Sequence, residues 1–313
     1  MTSMTDGPED SRPANERREA AREKALQLRT TQQRKDRRNR VFVTGGIVVG
    51  VLAVVAVVAV IIVTAIRPSV PGPANMASDG VVIGSGLKVK QTPSLAADAS
   101  PIASTPDPSG SVVSIRVYSD YLCALCGDFQ RTNGEQLEPL IKNGAVTVEL
   151  HPIAILTSHS AGTKYSLRAA NAAACVANYA PDSFWAFNNA LFVKQPEEGS
   201  AGLTDAQLKK RVADTGATSL SSIDSCIDDG TYKNWVTSAS DRALTGPIPN
   251  SSVKQLTVAP LVLVNGKQYT GSLKSSDDFQ AFVLQAQGDQ YSSTPTPSPV
   301  PGKTSTPTPT VKK

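Results

Sequence analysis

Cysteine is the residue type best suited to chemistry in this 313-residue chain, and two of its four cysteines form the tetrapeptide Cys123-Ala124-Leu125-Cys126. Thiols at that spacing can close on each other, so the pair can store and pass on two electrons. The attacking species in such exchange is the thiolate, whose population rises where backbone N–H groups and a helix dipole stabilise negative charge. The tetrapeptide follows a strand-like run and opens a helix-like one. A helix beginning near Cys123 puts that sulfur at its positive end as nucleophile, with Cys126 one turn further in as the resolving thiol. The competing readings are an inert disulfide and half of a zinc site. Zinc needs two further Cys or His at ligand spacing, and the sequence has no second CxxC and no HxxxH. No metal and no organic cofactor is expected.

Cys175 and Cys226 lie more than 45 residues beyond the tetrapeptide and are well separated from each other. Their simplest role is a structural bridge between two helices; two free buried thiols, or a second redox pair exchanging with the first, are the other readings. His151 and His159 are the only histidines and stand beside no Ser or Cys motif, which points to loop or strand-end positions rather than catalysis.

The elements that must position these cysteines can be read from pattern. Residues 112–118 and 145–150 read as buried strands with the CxxC helix between them, a strand-helix-strand unit whose first connection carries the tetrapeptide. Further on, apolar residues 261–264 and the run 267–270 flank Asn265-Gly266, a two-residue hairpin signal. A last helix starts at Ser276, with Phe279, Phe282, Val283 and Ala286 on one face and Ser275 with Asp278 as an N-terminal cap. Between the halves, about residues 158–250, the patterning is mainly helical. That insert contains an alanine-rich stretch carrying Cys175, then Phe184-Trp185-Ala186-Phe187 with Leu191 and Phe192 as packed core. A charged helix opening at Thr204-Asp205-Ala206-Gln207 follows, and then short segments with Cys226 and Trp235.

Much of the remaining chain cannot belong to a packed core. Residues 41–66 are 26 consecutive residues without a charge, which as a helix would rise roughly 39 Å, enough to cross a hydrocarbon layer of about 30 Å. The preceding leader, 1–40, holds 11 Lys/Arg against 7 Asp/Glu, while the other 273 residues carry 20 of each sign. Since basic residues stay on the cytoplasmic side, a retained signal anchor is expected, with the leader inside and everything beyond it outside. Interspersed acids and a lack of aromatics argue against nucleic-acid binding by the leader. Paired cysteines fit an oxidising extracytoplasmic compartment. Residues 67–110, rich in Pro, Ser, Ala and Gly, read as linker with one short strand. Residues 291–313 form a Thr/Ser/Pro-rich tail too poor in apolar residues to fold. The compact domain is then 111–290.

The sequence around the tetrapeptide, Tyr118-Ser119-Asp120-Tyr121-Leu122-Cys123-Ala124-Leu125-Cys126, resembles the strand-end Asp-aromatic-x-Cys-x-x-Cys of the DsbA-like thiol-disulfide oxidoreductases, in particular the membrane-anchored actinobacterial members. The resemblance extends to Arg168 through Cys175, to Phe184-Trp185-Ala186-Phe187, and to Val258-Ala259-Pro260 ahead of a strand ending in Asn265-Gly266-Lys267. It covers slightly over half of the chain. It implies an α/β, thioredoxin-like fold with an inserted helical domain, here preceded by one transmembrane helix. It also implies a cis proline at Pro260 facing the CxxC, with Ala259 offering its backbone to an extended substrate, and a second disulfide, matching Cys175 and Cys226, that staples the insert.

The activity so implied is thiol-disulfide exchange on secreted or cell-envelope proteins, in the oxidising direction, by a single-pass protein of the bacterial cell membrane that a membrane redox partner resets. Departures from the pattern are specific. Ala124 and Leu125 stand where the family commonly has Pro and often His, and Val117 stands where many members have a buried acid. Asp120 is retained as an accessory candidate, suited to a turn or helix cap as well as to proton transfer. A reductase or isomerase, and a non-catalytic thioredoxin-like binding module at the membrane, are the alternative functions.

Overall fold

In the computed structural model, residues 70–107 and 109–293 are described, together with positions 19, 22 and 23 of the leader, which are helical. The expected membrane segment 41–66 and the end of the tail lie outside the described residues. Among the described residues, no helix is long and apolar enough to cross a membrane. The chain divides into two units, Met1–Pro68 and Ser69–Lys313, and all that follows concerns the second.

Strand β1 (Val81–Gly84) turns through a short 3-10 segment into β2 (Lys88–Val89), and then come β3 (Val113–Ser119), helix α1 (Ala124–Lys142) and β4 (Val146–Pro152). β3 and β4 are parallel, with Ile115 opposite Val148 and Val117 opposite Leu150, as a strand-helix-strand crossover requires. Five helices follow: α2 (Tyr165–Tyr179), α3 (Phe184–Val193), α4 (Asp205–Asp214), α5 (Leu220–Asp229) and α6 (Lys233–Thr245). The chain closes with β5 (Leu261–Val264), β6 (Lys267–Gln268) and α7 (Ser276–Ser293), giving a six-stranded sheet in the order β2-β1-β4-β3-β5-β6.

Local chemistry explains several boundaries. The β5–β6 turn needs positive φ at both central residues, and Asn265 (47°) and Gly266 (80°) supply it; the Asn265 side chain also accepts from the Ser114 backbone N–H at 2.8 Å. α4 opens on a complete capping box between Thr204 and Gln207, and the Ser275 hydroxyl accepts from the Asp278 N–H at the start of α7. Phe279 of α7 is fully buried and meets Phe129 of α1 and Tyr269 edge-on, with ring centroids 5.1 Å apart in each case. Cys175 of α2 and Cys226 of α5 form a disulfide with Cα atoms 5.9 Å apart. Closing that 51-residue separation stabilises the unit by about 4 kcal/mol in the chain-entropy model.

The segment expected mainly as linker is folded against the rest of the unit. β1 pairs antiparallel with β4, placing Val81 opposite Leu150. Asn75 donates to the Ala177 carbonyl of α2 at 2.8 Å, and Arg242 of α6 grips the Asp79 carboxylate with two bonds of 2.7 Å. One reason is that Met76, Val81, Ile83 and Val89 are buried in the core, and a second lies in the alternation of β3 and β4. Arg116 pairs with Glu149 and Tyr118 with His151 in register, so these four polar or half-polar side chains share one sheet face. Exposing that face would leave the ion pair to water; instead Ser78 and Ser104 each donate to Glu149 at 2.6 Å, and Arg116 reaches the Pro249 carbonyl. Arg116 Nε stands 2.7 Å from Glu149, both side chains being buried. Burial alone would raise the Glu149 carboxyl, but His151, Arg116 and Ser104 outweigh it and hold the group well below the usual carboxylate range. His151 stacks on Tyr118 at 4.1 Å. A proline- and serine-rich stretch thus folds because it buries Met76, Val81, Ile83 and Val89 in the core and brings Ser78 and Ser104 to a polar sheet face, a long-range fit that its overall composition does not reveal.

Candidate active site

β3 ends at Ser119, and the next four residues turn the chain into α1. Asp120 is fully buried. One carboxylate oxygen accepts from Leu122 N–H and the other from Leu156 N–H, each at 2.9 Å, tying the turn to the loop after β4. Burial raises its pKa, and the two backbone donors work against that rise. These contacts put Asp120 to use as a turn clamp. Tyr121 is also fully buried; its hydroxyl donates to Asn188 of α3 at 3.1 Å and its ring lies 5.2 Å from Phe192. The Asp-aromatic pair therefore fixes the turn on two sides, one partner toward the sheet and one toward the helical insert.

Cys123 is the residue immediately before α1, and its side chain is the cap: Sγ accepts from the Cys126 N–H at 3.1 Å. A sulfur at that position meets an unpaired backbone donor and the positive end of the helix together, the surroundings that favour a thiolate over a thiol. Cys123 and Cys126 form a disulfide with Cα atoms 5.2 Å apart. Both cysteines are buried, Cys123 at 5% exposure and Cys126 at 1%, so the residue at the helix start is the more exposed of the two. Leu125 between them projects outward at 47% exposure.

From the other side of the sequence, the Ala259–Pro260 peptide is cis, and the Ala259 carbonyl oxygen lies 3.5 Å from Cys123 Sγ. Cys123 and Cys126, read from their spacing, and Ala259 and Pro260, implied by the family resemblance, are thus brought together, while Cys175 and Cys226 sit apart in the insert. Val258, next to this pair, is 55% exposed. Among the described residues, no group of three His, Cys, Asp or Glu side chains is placed to hold a metal ion.

The thioredoxin family model matches residues 108–285, more than half of the chain. Among solved structures, oxidised DsbA of Mycobacterium tuberculosis is similar over 67% of this chain and 93% of that one, with a TM-score of 0.51 and 29% identity. The reduced disulfide bond oxidoreductase DsbG of the same organism is similar over 69% and 93%, with a TM-score of 0.50 and 26% identity. The chain belongs to the DsbA-like thiol-disulfide oxidoreductases. Among curated proteins, the serine/threonine-protein kinase PknE of Mycobacterium tuberculosis is 32% identical over 133 residues, which is 41% of this chain and 24% of that one. The chain therefore spans about a quarter of that relative's length.

In this DsbA-like site, three contributors escape sequence reasoning. Gln195, in the loop after α3, donates through Nε2 to the Cys123 carbonyl at 2.8 Å and to the Tyr121 carbonyl at 3.1 Å. Glu198, three residues on, accepts from the Ala124 N–H at 2.9 Å. Gly127, directly after the CxxC, makes room for Gln195, since a Cβ there would overlap Gln195 Oε1. Pro196 and Gly199 mark a loop in the sequence, yet no local pattern says that it folds back onto the redox helix.

Proposed function

We propose that this chain is a membrane-anchored, extracytoplasmic oxidase that introduces disulfides into secreted or cell-envelope proteins. The observation that carries the reading is Cys123 Sγ at the first turn of α1, bonded to Cys126 N–H and facing the Ala259 carbonyl. A substrate thiolate attacks Cys123, the Cys123–Cys126 bond breaks, and Cys126 leaves as a thiolate. A second substrate thiolate then attacks the substrate sulfur of the mixed disulfide and expels Cys123. Two electrons pass from substrate to protein, the substrate gains one disulfide and the protein becomes a dithiol. The helix start stabilises the departing Cys123 thiolate, which favours this direction. The backbone of Ala259 and Pro260 guides the substrate as an extended strand.

The uncharged stretch 41–66 and the basic leader support a single span in the bacterial cell membrane with the leader in the cytoplasm. A redox partner in the same membrane reoxidises the dithiol. The test is oxidative refolding of a reduced, unfolded substrate by the full chain and by Cys123→Ser, with the reduction potential measured against glutathione. Acceleration by the wild type alone, with a potential well above the about −270 mV of thioredoxin, is expected. Equal rates in both proteins would refute catalysis, and a thioredoxin-like potential would refute the oxidising direction.

One contact favours the reductase or isomerase alternative: the Glu198 carboxylate bonded to Ala124 N–H adds negative charge where the thiolate forms.

A further inference from the structure

The first N–H groups of a helix have no partner within the helix, and they are what a Cys at its start uses to hold negative charge. In α1 two of them are already assigned. The Cys126 N–H points at Cys123 Sγ, and the Ala124 N–H, one residue from that sulfur, is bonded to Glu198. Glu198 reaches the helix from an exposed loop that Gln195 pins to the Tyr121 and Cys123 carbonyls. Arg131 of α1 holds the same loop by donating to the Phe192 carbonyl at 3.1 Å and to Gln195 Oε1 at 3.3 Å. The carboxylate is therefore held at the sulfur's end of the helix by contacts that do not involve Glu198 itself.

We propose that Glu198 sets how oxidising the Cys123–Cys126 pair is, by occupying a helix-start donor with a carboxylate and so opposing the Cys123 thiolate. In the disulfide form the sulfur carries no charge, and a carboxylate at a helix N-terminus is favourable. In the dithiol form the same carboxylate shares the first turn of the helix with a second negative charge, the two being bonded to the Ala124 and Cys126 N–H groups. Glu198 consequently favours the disulfide, and the pair is a weaker oxidant than the bare helix start would make it. This rests on Cys123 being the exchanging sulfur.

Other charged or titratable groups lie on the turn, on α1 and on the loops around Cys123, among them His159, whose carbonyl accepts from the Gly199 N–H at 2.8 Å. Asp120 has each oxygen on a backbone N–H. Asp128 of α1 is paired with Arg131 at 2.8 Å and with Lys274 at 3.3 Å. Residues 256–260 carry no charge, and Lys194 and Glu197 flank Glu198 in its loop.

Glu198→Gln keeps an oxygen acceptor for the Ala124 N–H and removes only the charge. In the full, reduced chain, the pH dependence of Cys123 alkylation by iodoacetamide, read on the Cys123 peptide by mass, gives the thiolate pKa. It should fall by about half a unit in Glu198→Gln. The equilibrium with glutathione should move about threefold toward the reduced protein, roughly 14 mV. Glu197→Gln should match the wild type in both measurements. No change in Glu198→Gln, or an equal change in Glu197→Gln, would overturn the proposal. The alkylation readout needs no turnover, so a chain whose Cys123 shifts as stated but which refolds no substrate refutes the oxidase reading and leaves the role of Glu198 standing.

Discussion

Gln195 holds the backbone of Cys123 through a 2.8 Å bond from Nε2 to the carbonyl, across a sequence separation of 72 residues. The helical insert thereby reaches the redox tetrapeptide directly, and the space its side chain needs is left by the missing side chain of Gly127.

A methyl group at Gly127 should therefore displace the ends of the Gln195 and Arg131 side chains, and the lost contacts, set against the helix propensity gained from Gly to Ala, should cost about 1 kcal/mol at most. Urea unfolding of Gly127→Ala, Gln195→Ala and the double variant tests this. Because Gln195→Ala removes the nearer of the two side chains that the added methyl group would strike, the other being Arg131, the double variant should be more stable than the sum of the single effects predicts. Strict additivity would mean that the two positions do not share this space.

The buried pair Arg116–Glu149 gives a second expectation. Glu149→Gln leaves Arg116 buried without its countercharge and should cost about 3–5 kcal/mol at pH 7. The variant should also change the acid limb of stability. Folded Glu149 binds a proton less readily than unfolded Glu149, so on acidification the unfolded chain takes up the proton first. The Glu149 contribution is thus complete above its unfolded pKa of about 4.3 and is lost as pH falls below it. Guanidinium unfolding midpoints between pH 7 and 3 should fall more steeply for the wild type than for Glu149→Gln.

Replacing Cys175 and Cys226 together by Ala should lower stability by about 2–5 kcal/mol while leaving the Cys123–Cys126 pair intact. Guanidinium unfolding gives the first quantity, and the glutathione equilibrium of the remaining pair gives the second. A shift of that equilibrium by more than about twofold would show that the two disulfides are coupled rather than separate.

Cys126→Ser should trap covalent adducts. The reduced variant keeps Cys123 to attack a substrate disulfide but has no thiol to resolve the product, so a mixed disulfide with a model protein should accumulate and be released by dithiothreitol. Cys123→Ser should form at least tenfold less of it, an order-of-magnitude expectation from the lower exposure and the loss of the helix-start position for Cys126. Nonreducing gels followed by peptide mass analysis identify the sulfur involved.

Much of this protein could be read from its residues because the signals are local. The β3-α1-β4 order follows from apolar runs on either side of a helical period, the β5–β6 hairpin from Asn265-Gly266, and the start of α7 from Ser275 with Asp278. The CxxC spacing permits exchange chemistry and leaves an inert disulfide open, and its place at a helix start follows from the pattern around it. Resemblance to a family supplied Ala259 and Pro260, which no periodicity singles out, and tertiary contact put them beside Cys123. Tertiary structure alone decided that Ser78 and Ser104 cover the polar sheet face while Met76, Val81, Ile83 and Val89 enter the core, because both Glu149 and those apolar side chains find their partners far away in sequence. It alone brought Gln195 and Glu198 to the redox helix. Side-chain spacing records what a segment buries along its own length; which distant loop comes to rest on a helix terminus is settled only when the whole chain has packed.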